Sequence, residues 1–299
     1  MKLGYIGLGK MGFNMVERLL EKGYQVVAFD RNSDAVKDAK IKGARTADTL
    51  TSLVAALDSP RLIWIMVPHE AVDAVLKDLT PLLAQGDTVV DGGNSPYKES
   101  IRRSKELETR GINFLDAGVS GGPAGARSGA CIMVGGRKEI FQNFEALIRD
   151  LSAPDGYGYM GKSGAGHFVK MVHNGIEYGM MQALAEGFAV MKASGFGLEL
   201  TRITDVYNHK SVIESRLVGW LQGAFQQYGE DLADISGSAA QSGEGMWTVG
   251  AGKELGVPTP VIQGALDFRI QSRNNPSYTG KLISAMRNQF GGHEVKEKK

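Results

Sequence analysis

The run Lys170-Met171-Val172-His173-Asn174-Gly175-Ile176-Glu177-Tyr178 places Lys170, then His173 and Asn174, then Glu177 and Tyr178, at spacings of i, i+3/i+4 and i+7/i+8. On a helix those spacings share one face. The stripe sets a candidate base, Lys170, and a carboxyl, Glu177, beside amide and ring groups on an otherwise apolar segment. Burial of such a pair suits proton transfer near neutral pH. A solvated Lys–Glu face is the competing reading; the apolar or glycine residues on the other faces favour a central helix whose stripe lines a cleft.

A second chemistry-bearing segment is Asp116-Ala117-Gly118-Val119-Ser120-Gly121-Gly122-Pro123-Ala124-Gly125-Ala126-Arg127, nearly all small residues. Read as a loop after a strand, it offers the Ser120 hydroxyl and the accessible N–H groups of Gly121 and Gly122 to a carboxylate or hydroxyl-rich ligand. A plain connector is the alternative.

The third is Gly7-Leu8-Gly9-Lys10-Met11-Gly12, a G-x-G-x-x-G run between a strand and a helix. Gly7 permits the tight turn, Gly9 lets a pyrophosphate approach the backbone, and Gly12 lets the helix pack on the strand. The helix N-terminus then faces the phosphates. A second strand ends at Asp30, about 20 residues on, where an acidic residue meets a ribose. A carboxylate there accepts from both ribose hydroxyls and repels a 2′-phosphate, whereas Arg31 beside it suits that phosphate. The reading favours NAD, with NADP as the alternative.

Elements that position these groups follow from periodicity. Strands are expected at Leu3–Leu8, Gln25–Asp30, Leu62–Val67, Thr88–Asp91, Asn113–Asp116 and Cys131–Val134, separated by amphipathic stretches at Met11–Glu21, Ser33–Ile41, Glu70–Leu83 and Lys98–Arg110. Such alternation argues for an α/β Rossmann-type, doubly wound parallel sheet with helices on both faces. From Ser163 to Ala193 the chain reads as one long apolar helix, ~45 Å at 1.5 Å per residue. Gly175, Gly179 and Gly187 inside it mark close approach of other helices or a ligand. Helices follow at Leu200–Asn208, Leu217–Tyr228, Ala240–Leu255 and Thr259–Arg273, with no strand. The expected organisation is a dinucleotide-binding domain over 1–160 and an all-α domain over 161–299, built around one long central helix. The boundary lies near Ala153–Gly164, and no internal repeat is visible.

Composition narrows the function classes. The 299 residues suit two domains. Lys plus Arg number 34 against 33 Asp plus Glu, so no nucleic-acid partner is expected. Cys131 is the single cysteine, which excludes a disulfide framework and suits a reducing cytoplasm. Met1 runs straight into a strand, leaving no room for a signal peptide, and no apolar stretch of ~18 residues suggests a membrane span. The charged tail Glu294–Lys299 reads as solvated. Trp64, Trp220 and Trp247 read as core or cleft packing, with Trp247 alone near a motif.

Taken with Asp91-Gly92-Gly93-Asn94-Ser95, Gly245-Met246-Trp247-Thr248 and Arg287-Asn288-Gln289-Phe290-Gly291-Gly292-His293, these segments resemble decarboxylating 6-phosphogluconate dehydrogenase, within the β-hydroxyacid dehydrogenase superfamily. The helical domain is present once, as in the shorter, often NAD-linked members. The resemblance implies oxidation and decarboxylation of 6-phospho-D-gluconate to D-ribulose 5-phosphate, carbon dioxide and NADH, a step of the pentose phosphate pathway and gluconate metabolism. It casts Lys170 as the general base and Glu177 as the acid that protonates C1. Asn94, Ser120, Gly121, Gly122, His173 and Asn174 would hold the carboxylate and hydroxyl end; Tyr178, Arg269, Arg287 and His293 would hold the phosphate. Gly7, Leu8, Gly9, Met11, Gly12, Asp30, Arg31, Val67 and Asn94 would contact the dinucleotide. In the family the last two phosphate residues come from a neighbouring subunit, so a homodimer or dimer of dimers is implied; no metal is. One departure is Met246, where the family usually carries a basic residue. A lost charged contact of that kind is worth ~1.5–3 kcal/mol, with Lys253 or Arg216 as stand-ins. The rival readings are a dehydrogenase for an unphosphorylated acid, of the 3-hydroxyisobutyrate or tartronate semialdehyde type, and a non-catalytic NAD-sensing protein.

Overall fold

All six expected strands are present in the computed structural model, which describes residues 1–241 and 243–295. The chain divides into two units, Met1–Lys170 and Met171 onward.

The first unit runs β1 (Lys2–Ile6), α1 (Lys10–Glu21), β2 (Gln25–Phe29), α2 (Ser33–Ile41), β3 (Arg45–Thr46), α3 (Leu50–Ala55), β4 (Leu62–Ile65), α4 (His69–Leu79), β5 (Thr88–Asp91), α5 (Tyr97–Glu108), β6 (Asn113–Ser120), α6 (Gly122–Ser128), β7 (Ala130–Gly136), α7 (Lys138–Leu151) and β8 (Ser152–Gly161). The eight strands form one sheet in the order β3-β2-β1-β4-β5-β6-β7-β8. Its strands are apolar on both faces because both are covered. Leu3, Tyr5, Trp64, Leu115 and Ile132 pack to one side, and Ile6, Val27, Ile63, Ile65 and Phe114 to the other. Trp64 is wholly buried core, as its sequence context suggests.

Two expectations are corrected. The sheet is not wholly parallel, because β6 and β7 pair antiparallel. The connection Gly121–Gly129 is shorter than the dozen or more residues that a parallel crossover takes, so the chain turns back. The segment Asp116–Arg127 is not a loop: β6 continues through Ser120 and α6 begins at Gly122. β8, unseen in the sequence, is an edge strand, where Pro154 is tolerated.

A single helix, α8 (Ala165–Ala193), begins in the first unit and continues into the second. The second unit adds α9 (Leu200–Tyr207), α10 (Arg216–Tyr228), α11 (Glu244–Leu255), α12 (Pro260–Gln271) and α13 (Tyr278–Gly291), with no strand among the described residues. Met181, Phe188, Leu221, Phe225, Leu282 and Met286 form its core. Two of the three helix glycines are explained by packing. A methyl at Gly175 would stand 2.6 Å from Thr248 Cγ2 and one at Gly179 would stand 3.2 Å from Val261 Cγ1, whereas Gly187 meets nothing within 4 Å. Ile176, Met180 and Val190 leave part of α8's apolar surface exposed. No described helix is long and apolar enough to cross a membrane.

Candidate active site

The glycine-rich turn after β1 has the geometry its spacing demands. Gly7 has φ +101°, and a methyl there would stand 2.7 Å from the Met66 carbonyl carbon. A methyl on Gly12 would run into the carbonyl group of Gly7, so α1 packs onto the turn only with glycine there. Gly9 differs: a side chain there would meet nothing within 4 Å. Its bareness is not required by the protein's own packing, and it fits an incoming ligand. The first turn of α1 has neither a capping side chain nor an acidic residue, so it presents the positive end of the helix dipole. Asp30 follows β2 and accepts from the Leu8 N–H at 2.6 Å and from the Asn32 N–H at 2.7 Å. It thus anchors the turn while its carboxylate stays partly open; Arg31 beside it is exposed. Met11 and Val67, both half-buried, pack against opposite faces of the sheet. These residues fit a dinucleotide.

Asn94 is exposed at the turn after β5, and the turn is clamped from below. Buried Asp91 accepts from the Gly93 N–H at 3.1 Å, the Ser95 hydroxyl at 2.8 Å and Arg103 Nη1 at 3.2 Å. Arg103 is itself buried and also binds Asp73 through Nε at 2.8 Å. The Asp91-Gly92-Gly93-Asn94-Ser95 run pointed to Asn94; the positioning roles of Asp91, Ser95 and Arg103 went unread.

Lys170 is 9% exposed and lies against β6. A methyl at Gly118 would stand 2.9 Å from Lys170 Cγ and closer still to its Cβ. The start of α8 is fixed by buried Asp116, whose two oxygens accept from the Gly164 N–H at 2.7 Å and the His167 N–H at 2.9 Å. Gly166 has no room for a methyl either, which would lie 2.7 Å from the Gly135 nitrogen. Strand β6 therefore carries both the seat of Lys170 and, at its end, Ser120. Gly121 and Gly122, with φ +122° and +62°, then adopt backbone that a side chain would strain. Asp116 and Gly118 were quoted only as part of a small-residue run; their pairing with α8 is long-range.

In the second unit, His173 Nδ1 lies 2.9 Å from Asn174 Oδ1, and Asn174 donates from Nδ2 to Glu244 Oε1 at 3.3 Å. Glu177 is half-buried, with Oε2 4.0 Å from His173 Nδ1. Glu244 is 6% exposed and is a site candidate that sequence reading passed over. Gly245 is bare because the Tyr178 ring lies on it, 2.6 Å from where a methyl would be. Arg269 stacks on the same ring, with its Cζ 3.5 Å from the ring centroid. Arg269 is 2% exposed and Arg287 is 8% exposed. Burial, reinforced by their mutual repulsion, brings the Arg269 guanidinium down to about 10, against the pull of Tyr178, Glu177 and Glu244. Burial also lowers Arg287. The structure thus gathers Tyr178, Arg269 and Arg287 in one unit. His293 does not join them in burial: it is exposed and packs edge-on to Phe290. Met246 is 53% exposed on α11. Of its stand-ins, Lys253 is exposed in the last turn of that helix and Arg216 stacks over Trp220.

Two family models divide the chain as the fold does. Residues 2–161 match the NAD binding domain of 6-phosphogluconate dehydrogenase, and residues 166–279 match the 6-phosphogluconate dehydrogenase C-terminal domain. The NAD(+)-dependent, decarboxylating 6-phosphogluconate dehydrogenase of Haloferax volcanii is 44% identical over 303 residues, covering 100% of this chain and 99% of that protein. The Plasmodium falciparum 6-phosphogluconate dehydrogenase, solved with NADP+ and with 6-phosphogluconate, superposes with a TM-score of 0.79 at 28% identity. That alignment covers 96% of this chain and 70% of the longer one. A Mycobacterium tuberculosis 3-hydroxyisobutyrate dehydrogenase shares the fold at a TM-score of 0.76 and 20% identity, over 96% of this chain and 99% of that one. With both halves of the chain matched in order and a full-length relative at 44% identity, the chain belongs to the 6-phosphogluconate dehydrogenase family.

Proposed function

We propose that the chain oxidises and decarboxylates 6-phosphogluconate to ribulose 5-phosphate, with NAD as the preferred acceptor. The observation that carries this is the seating of Lys170 on bare Gly118, with Glu177 two turns further along the same helix. A nicotinamide dinucleotide held at the Gly7–Gly12 turn and Asp30 would supply the acceptor for the hydride that leaves C3 of the sugar acid. Lys170 takes the C3 hydroxyl proton as that bond oxidises, and its charged form then stabilises the C3 oxygen as electrons flow onto it. The product is a β-keto acid, so the C1–carboxylate bond breaks and carbon dioxide leaves an enediol. Glu177 delivers a proton to C1. Asn94, Ser120 and the Gly121–Gly122 backbone hold the carboxylate and hydroxyls, with His173 and Asn174 on the helix; Tyr178 and the arginines take the phosphate.

The NAD preference rests on Asp30, whose carboxylate repels a 2′-phosphate while accepting from ribose hydroxyls. The unphosphorylated-acid reading has less support, because the two buried arginines would have no anion to meet and the 3-hydroxyisobutyrate likeness is one of fold.

The test is the initial rate of NADH formation with 6-phosphogluconate, beside gluconate, 3-hydroxyisobutyrate and NADP controls, with carbon dioxide followed. Stoichiometric carbon dioxide from the phosphorylated acid is the expected result. Turnover of an unphosphorylated acid alone would overturn the substrate assignment. Lys170→Met should retain NAD binding and lose ~10²–10⁴-fold in rate; activity that survives removes Lys170 as the base.

A further inference from the structure

We propose that His167 is a positioning residue for Lys170: its ring, bonded to Ser100 of α5 one helical turn before the lysine, ties the start of α8 to the helix that follows the Asn94 turn. The inference rests on Lys170 as the base of the proposed reaction.

His167 is 2% exposed and Ser100 is fully buried. Ser100 Oγ lies 2.7 Å from His167 Nδ1, whereas Nε2 is buried with no hydrogen-bond partner. A polar ring placed in the interior and satisfied at one nitrogen only is less stable there than an apolar side chain of like size. Packing alone therefore gives no reason for a histidine; the bond to Ser100 does.

That bond lies inside a ladder of contacts between two helices of the first unit. Tyr97, Ser100, Ile101 and Ser104 recur at i, i+3, i+4 and i+7, which is one face of α5. Against this face, Ser163 Oγ lies 2.8 Å from Ser104 Oγ, and a methyl on Gly164 would stand 2.6 Å from Ile101 Cγ1. The Phe168 ring meets Tyr97 edge-on at 5.1 Å. From the other side, Asp116 of β6 accepts from the Gly164 and His167 N–H groups. His167 is thus held by its backbone to the sheet and by its ring to α5, and Lys170 follows at i+3 on the same helix. The near end of α5 begins three residues after Asn94, and Arg103 of that helix binds Asp91 beneath the turn. One helix therefore ties Lys170 to the Asn94 turn, and both groups are assigned above to the hydroxyl-bearing end of the substrate.

Three variants separate positioning from packing. Asparagine carries its amide on Cγ, where histidine carries Nδ1, so His167→Asn keeps a partner for Ser100 while shortening the side chain. His167→Phe keeps a ring and loses the bond, and Ser100→Ala loses it from the other side. With 6-phosphogluconate and NAD, His167→Phe and Ser100→Ala should each lower kcat by about tenfold or more through a displaced base. His167→Asn should lose less than either, and the Kd for NAD should stay at the wild-type value in all three. The double variant of Ser100→Ala with His167→Phe should fall no further than the worse single one, because both changes remove the same bond. Deuterium at C3 should slow the impaired variants more than wild type, since hydride transfer becomes limiting in them. Urea midpoints and circular dichroism check folding, and Ser100→Ala decides the matter if His167→Phe does not fold. A phenylalanine variant that turns over as fast as wild type, or faster than the asparagine variant, makes His167 a packing residue and overturns the proposal. Losses that multiply in the double variant do the same. If Lys170→Met retains activity, the base is misassigned and the positioning role falls with it. Lys170-dependent turnover that is indifferent to the Ser100 and His167 variants overturns the positioning role alone.

Discussion

The side chain of Lys170 runs across the bare backbone of Gly118, with 2.9 Å between Cγ and the point that a methyl on Gly118 would occupy. A helix residue is thereby aimed by a strand glycine 52 positions earlier, and the lysine is buried to 9% exposure without a bulky neighbour on that side. Gly118→Ala should push the stem aside while leaving the dinucleotide turn untouched. The expected result is a fall in kcat of ~10²-fold, as for a 1 Å misplacement, with an unchanged Kd for NAD and a stability loss of ~1–3 kcal/mol from overpacking. Stopped-flow turnover and NAD titration on the same preparation check this. An unaltered kcat would mean that Gly118 does not position the lysine.

Asp30 has two roles that a single substitution separates. It accepts from the Leu8 N–H in the glycine turn and from the Asn32 N–H that follows β2, and its charge repels a 2′-phosphate. Asp30→Ser shortens the side chain and removes the charge while Arg31 remains. The ratio of kcat/KM for NAD over that for NADP should fall by about tenfold or more, the equivalent of ~1.4 kcal/mol. A ratio that does not move would remove Asp30 from cofactor choice.

What was legible in the sequence is what local backbone geometry constrains. Gly7, Gly9 and Gly12 announce themselves by spacing, and the structure gives Gly7 and Gly12 distinct steric reasons while leaving Gly9 open to a ligand. Strands β1, β2, β4, β5, β6 and β7 were visible because burial on both faces makes them uninterrupted apolar runs. The helix string from Lys170 to Tyr178 was legible for the same reason, since its stripe repeats along one element. Strand direction has no such signature, so the antiparallel β6–β7 pair was hidden behind a segment read as loop. Pro154, Asp155 and Gly156 masked β8. Gly118 with Lys170, Asp91 with Arg103 and Asn174 with Glu244 all join residues distant in sequence, and no periodicity reports such pairs. The burial of Arg287 was hidden too, because α13 was read as a tail motif and not as a helix in the core.

The Asp91–Arg103 clamp should be among the costlier side-chain pairs to break. Arg103 is 1% exposed and Asp91 is fully buried, so Arg103→Ala leaves a buried carboxylate with only the Ser95 hydroxyl and the Gly93 N–H. Removing one partner of a buried pair costs ~3–5 kcal/mol, which should lower the urea midpoint. Ser95→Ala keeps the ion pair and removes one hydrogen bond, at ~1 kcal/mol. Its larger effect should be a raised KM for the sugar acid, because Asn94 rides on the same turn. Equal midpoints for Arg103→Ala and wild type would show that the clamp contributes nothing to the fold.

Arg269 ties ligand binding to stability, and the sign follows from its pKa. Burial holds the folded-state value at about 10, below the ordinary 12.5. Through neutral pH the group is charged in both folded and unfolded chains, so folding carries the full cost of burying that charge. The cost is relieved only as pH rises above about 10, where the folded form gives up its proton. At neutral pH a bound phosphate offsets the same cost, so inorganic phosphate should raise the unfolding temperature. At a hundredfold excess over Kd the gain is ~2.7 kcal/mol. Arg269→Met keeps the volume and removes the charge. It should leave the phosphate-free protein at least as stable as wild type, since unpaired buried charge is replaced by apolar contact, and it should abolish the rise with phosphate. Differential scanning calorimetry with and without phosphate reads both effects. If the substituted protein gains as much from phosphate as wild type does, the anion binds elsewhere and Arg269 is a packing residue.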